Sequence, residues 1–205
     1  MTSSGKRRVR LGGALAIVAA LLAVFTGVGA ASAATLRADD FEDGDAAGWT
    51  TTGGTWIVNL DGPNHVLRQS SLAANALART GSPSWQDYRV TAQVKPESFN
   101  GLPGFAGVVA RAGSTSNYYA LVLRPNDTAS LTRTVGGRSQ TLASLPVSVD
   151  TGRWYTLSLA VNGQQLTGSV DGAAFSATDG YLLSGPAGLT TTWTTTSFDD
   201  VLVTD

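Results

Sequence analysis

The stretch YRVTAQVK, residues 88–95, alternates without a break: Tyr88, Val90, Ala92 and Val94 fall on one face, Arg89, Thr91, Gln93 and Lys95 on the other. A period of two marks a β-strand with one buried face, because successive side chains point to opposite sides of the pleat. Pro96 follows, has no N–H to give a sheet, and is expected to end the strand. WYTLSLAV, residues 154–161, repeats the scheme with Tyr155, Leu157, Leu159 and Val161 inward. Asn162-Gly163 then signals a tight hairpin, whose two central residues need positive φ. The partner strand is expected over 164–170 and is closed by Asp171-Gly172. Gly136-Gly137 separates 130–135 from 138–145 in the same way.

Outward from these hairpins, short candidate strands fall at 55–60, 66–69, 76–79, 105–111, 118–124, 187–192 and 197–203. No window past residue 34 shows apolar residues at helical spacing. About a dozen strands divided by Gly, Pro, Asn and Asp predict an all-β antiparallel sandwich or barrel. Residues 105–111 and 118–123 are apolar on both faces, which suits central strands whose outer face is also partly covered.

The N-terminus carries Lys6, Arg7, Arg8 and Arg10, then an apolar run to Ala30 and the small-x-small pattern Ala31-Ser32-Ala33. This predicts a secretory leader over 1–33 and one domain over 34–205, outside the cell. Four of the 14 basic residues lie in the leader, which leaves ten against 15 acidic ones, a net charge of about −5. That balance gives no electrostatic reason to seek nucleic acid or an anionic membrane. Cysteine is absent, and past the leader there are one lysine, one histidine and two glutamates, Glu42 and Glu97. Chemistry that relies on a glutamate pair, a histidine relay or a zinc site has almost nothing to draw on.

The ends of the domain carry a recognisable pairing. Asp39-Asp40-Phe41-Glu42-Asp43-Gly44 and Gly48-Trp49 stand near the start, Ser197-Phe198-Asp199-Asp200-Val201-Leu202-Val203 near the finish, with GFAGVVAR, NYYALVLR and TGRWYTLSLAVNG between. This arrangement resembles the concanavalin A-like lectin/glucanase superfamily, in particular the laminin-G-like jelly-roll modules attached to bacterial polysaccharide-degrading enzymes such as pectate lyases and levanases. The resemblance implies a two-sheet jelly roll with its first and last strands side by side. It also implies a structural calcium ion at that junction, with Asp40, Glu42 and Asp199 as ligands. Calcium takes six to eight oxygen ligands, and an inward carboxylate such as Asp199, in phase with Val201 and Val203, needs a partner.

A sugar-binding surface combines aromatic platforms with planar polar groups. Alternation puts Tyr118, Ala120, Val122 and Arg124 on one face, with Arg111 ending the strand before and Arg133 on the strand after. Guanidinium groups grip carboxylates bidentately, which would suit an acidic polysaccharide. Trp193, in TTTWTTTS, is a candidate stacking surface, whereas Trp49, Trp56 and Trp154 are expected in the core. The expected function is therefore a monomeric, lectin-like module that binds a plant or microbial polysaccharide at Arg111, Tyr118, Arg124, Arg133 and Trp193. One enzyme class stays open, a small polysaccharide lyase acting on a uronate by β-elimination, for which Tyr118, Arg111, Arg124 and His65 are suitable residue types. A structural or adhesive surface protein is the third reading.

Overall fold

The computed structural model describes residues 33–72 and 75–205, together with Met1 and Thr2, so the expected leader lies almost wholly outside the described residues. Among the described residues there are fifteen strands and no helix. Eight strands make one sheet, which runs β13 (Ala173–Thr178), β12 (Gln165–Val170), β11 (Tyr155–Asn162), β6 (Tyr88–Phe99), β15 (Thr194–Thr204), β4 (Asn64–Gln69), β3 (Trp56–Asp61), with β1 (Thr35–Asp39) also on β15. The other sheet runs β10 (Arg138–Pro146), β9 (Thr128–Val135), β8 (Asn117–Arg124), β7 (Phe105–Ser114), β14 (Ala187–Thr192), β5 (Ala76–Thr80), β2 (Thr50–Thr52). The strand pairs are antiparallel throughout, and the result is a two-sheet jelly-roll sandwich. β4 pairs with the first half of β15 and β1 with the second, Asp39 facing Val201, so the first and last strands do lie side by side.

The core is what the alternation predicts. Val90, Ala92 and Val94 of β6 and Leu157 and Leu159 of β11 meet Val108, Leu121, Leu131 and Leu189 of the opposite sheet, all essentially without exposure. Each such side chain contributes about 1.5–3 kcal/mol by leaving water. Tyrosines that enter this core bring their hydroxyls to partners. Tyr88 accepts from Arg111 N (2.6 Å) and donates to Gly185 O (3.0 Å), and Tyr155 donates to Ser148 O (3.1 Å).

Three expectations are corrected. β6 does not stop at Pro96 but continues to Phe99, because the ladder with β15 slips between Thr195 and Thr196 where Thr196 faces Pro96, and that irregularity absorbs the missing N–H. The edge strands β1, β2 and β13 were not anticipated. Trp154 lies outside the core, with Lys95 Nζ 5.0 Å above its ring, whereas Trp49 and Trp56 do pack against it.

Candidate functional site

Among the described residues no further layer lies over the outer face of the seven-stranded sheet. Register places Leu77, Thr190, Gly107, Val122 and Ser130 in one row across five strands, and Arg79, Gly188, Val109, Ala120 and Thr132 in the next. The floor is a second apolar cluster, separate from the core, built from Leu77, Val109, Ala112, Tyr118, Ala120 and Val122. Apart from Tyr118 these side chains are aliphatic, and all six are buried. The floor stays small at Gly107 and Gly188 for a backbone reason. A Cβ there would stand 1.9 Å from Leu121 O and 2.2 Å from Ala78 O, so neighbouring strands pass too close for any side chain.

Tyr118 stands at one end of this floor. Its ring is buried (6% exposed) and it lines a cavity of about 150 Å³ with Thr52, Asn75, Leu77, Thr115 and Thr190. The hydroxyls of Tyr88, Tyr119 and Tyr155 are all hydrogen-bonded, but that of Tyr118 has no such partner among the described residues. A cavity edged by hydroxyls, an amide and one free phenol can hydrogen-bond sugar hydroxyls over an apolar floor. At the far end Arg124 lies 5.3 Å above the ring of Phe105, and burial lowers its pKa from the usual arginine value. Between them is Arg79, which the sequence reading passed over. It starts on β5, crosses β14 beside Gly188, and donates through Nη1 to Ala112 O of β7 (3.4 Å). It also lines an open pocket of about 190 Å³ with Thr50, Thr80 and Pro186.

Other expected residues lie elsewhere. Arg111 is 2% exposed and structural. Its Nε donates to Gln86 O, its Nη1 to Gly163 O and Leu182 O, and its Nη2 to Asp87, all within 3.1 Å. Arg133 pairs with Tyr119 in register and so points away from Tyr118, toward Asp179 at 2.6 Å and Tyr181. Trp193 is 37% exposed at the β14–β15 turn, where its carbonyl accepts from Asn100 N. His65 belongs to the other sheet and faces Glu42 at 3.4 Å. Tyr118, Arg111, Arg124 and His65 therefore do not form one catalytic group.

The expected metal ligands meet only in part. Asp199, 7% exposed, accepts from Asn64 Nδ2 (2.5 Å) and Asp200 N (2.7 Å). Burial raises its pKa, and the charges of Asp200 and Glu42 add to the rise while those two hydrogen bonds oppose it. Asp40 instead turns back to accept from Glu42 N (3.3 Å). Among the described residues no three acidic or histidine side chains converge as a metal set. Phe41 and Asp200 hold left-handed backbone (φ 57° and 47°) beside this cluster, an uncommon conformation for non-glycine residues.

A two-sheet jelly-roll sandwich is the fold that this chain shares with carbohydrate-binding modules of known structure. Residues 63–205 match the family described as the galactocerebrosidase C-terminal lectin domain, and the chain belongs to that family. Over 148 residues it is 38% identical to the extracellular exo-alpha-L-arabinofuranosidase of Streptomyces chartreusis, a stretch that is 71% of this chain but only 17% of that protein. Among solved structures, the carbohydrate-binding module CBM66 from Bacillus subtilis shares the fold with a TM-score of 0.68 at 20% identity, over 77% of this chain and 96% of that one. Domain 4 of AbnA, a GH43 extracellular arabinanase from Geobacillus stearothermophilus, in complex with arabinotriose, does so with a TM-score of 0.61 at 17% identity, over 84% and 93%.

Proposed function

We propose that this chain is a secreted carbohydrate-binding module, concanavalin A-like in fold, that takes a polysaccharide along the outer face of its seven-stranded sheet. The observation that carries this reading is Tyr118, a buried ring that lines a hydroxyl-edged cavity on that outer face and whose own hydroxyl has no hydrogen-bond partner among the described residues. The names of its relatives, an extracellular arabinofuranosidase and an arabinanase domain bound to arabinotriose, favour arabinose-containing glycans. Calorimetric titration with arabinotriose and with soluble arabinan tests it. Tyr118→Phe removes one hydrogen bond, about 1 kcal/mol, and should raise Kd about fivefold with the fold intact. Unchanged affinity would move the site off this face.

A structural calcium ion at the β1–β15 junction is part of the same reading. Two carboxylates there suit it, and no third acidic or histidine side chain joins them as a metal set among the described residues. Asp199 is buried, faces two further carboxylates, and has no cationic side chain within ion-pair distance among the described residues. Glu42 and Asp199 would hold the ion, with the Asn64 amide turned to offer its carbonyl oxygen and backbone carbonyls completing the shell.

A further inference from the structure

Charge is not shared evenly between the two sheets. The seven strands of the binding sheet contain no aspartate and no glutamate, and their five ionisable cations are all arginines: Arg79, Arg111, Arg124, Arg133 and Arg138. The eight-stranded sheet carries Asp39, Asp61, Glu97, Asp199 and Asp200. A domain with fifteen acidic groups against ten basic ones thus keeps one whole sheet free of acid. Sheet position alone does not require this, because the outer face of either sheet meets solvent.

Two of those arginines face outward on the binding face, Arg79 in phase with Leu77 and Arg124 in phase with Tyr118. Arg111 and Arg133 are neutralised by Asp87 and Asp179. Arg79 and Arg124 have no carboxylate within ion-pair distance among the described residues. Among the described residues Arg79 Nε is buried without a hydrogen-bond partner, as are Arg37 Nε and Arg68 Nε of the other sheet, and the Arg79 guanidinium has a single long bond to a carbonyl. A buried donor left unmatched is unfavourable unless a ligand meets it. A planar guanidinium fork in a pocket that the exposed Thr50 also lines fits a carboxylate, which accepts two parallel N–H bonds. Strand spacing puts the two arginines roughly 20 Å apart along the face, further than one sugar ring reaches.

We propose that the binding face selects glycans bearing carboxylates, as in uronic acid residues, with Arg79 and Arg124 as two anion grips on one extended chain. This rests on the assignment of the glycan to that face. The domain's net negative charge makes general attraction to polyanions unfavourable, so retention of one reports a local site.

The test is affinity electrophoresis of the protein in gels holding matched pairs: methyl-esterified pectin and polygalacturonate, hydroxyethyl cellulose and carboxymethyl cellulose, arabinan and lightly carboxymethylated arabinan, with dextran sulfate as a further polyanion. At least one carboxylated member should bind fivefold or more tightly than its neutral partner, with a preference that fades as salt rises. Arg79→Gln and Arg124→Gln should each erase that preference, read as the ratio of carboxylated to neutral affinity, with a thermal melt of each variant to show that it is folded. The proposal is overturned if the neutral member of every pair binds as well, if no carboxylated glycan is retained, or if dextran sulfate is held as firmly as the best carboxylate. Tyr118→Phe separates the two readings. If it leaves neutral binding intact, the placement of the site fails. If it weakens neutral binding while the arginine variants change nothing, only the carboxylate preference fails.

Discussion

At Arg111 a left-handed backbone (φ 48°) swings the side chain off the outer face and into the sandwich edge, where its donors gather the segments at Gln86, Asp87, Gly163 and Leu182. Strict alternation would have aimed it at ligand, so this break in the backbone is what hid its role. Arg111→Ala takes the donors from the carbonyls of Gln86, Gly163 and Leu182 and should remove about 3 kcal/mol or more, roughly 6–12 °C in Tm for a domain of this size, with glycan affinity unchanged; a melt beside a titration checks both. Arg111→Lys should rescue little, because an ammonium cannot reproduce the fork. Asp199 makes a pH prediction. Its folded pKa lies above the ordinary carboxylate value, so between those two values the folded state binds more protons and stability falls as pH rises. In chelator, Asp199→Asn should flatten that part of the Tm–pH curve and raise Tm at neutral pH.

Among the elements, the binding floor depends on two residues with no side chain. Gly107→Ala or Gly188→Ala must part β7 from β8 or β14 from β5. Each should cost about 3 kcal/mol, visible as a lower denaturation midpoint, and should disturb glycan binding although neither touches ligand. Alternation made β6, β8 and β11 legible from sequence, because their inward residues are large and unbroken. It failed at β1 and β2, which are too short and exposed to show a period, and at β13, where only Phe175 and Ala177 turn inward and the rest of AAFSAT is small or polar. The same limit governed the site. Tyr118 was legible from its phase in β8, whereas Arg79 is the fourth residue of the short strand ALART, whose other residues are all buried and give no sign of an outward face. Arg133 kept its phase but belonged to the opposite face of its sheet.

Across the whole molecule, the acidic junction ties the first strand to the last, so an ion there would act on global stability. One millimolar calcium should raise the melting temperature above that in chelator, and Asp199→Asn should abolish the difference; equal midpoints for the unmodified protein would remove the ion from the account. The junction has a mechanical side too. Thr35 lies opposite Thr204, and the Asp205 amide donates to Ala34 O (3.1 Å), so both ends of the folded unit emerge at the same point. Tension applied between two bodies tethered to those ends acts across the β1–β15 pair, along its hydrogen bonds rather than along its strands. The rungs then carry load one at a time, like the teeth of a zipper. β1 peels away under low force, from Thr35 toward Asp39, and the seven-stranded sheet shares no rung of that ladder.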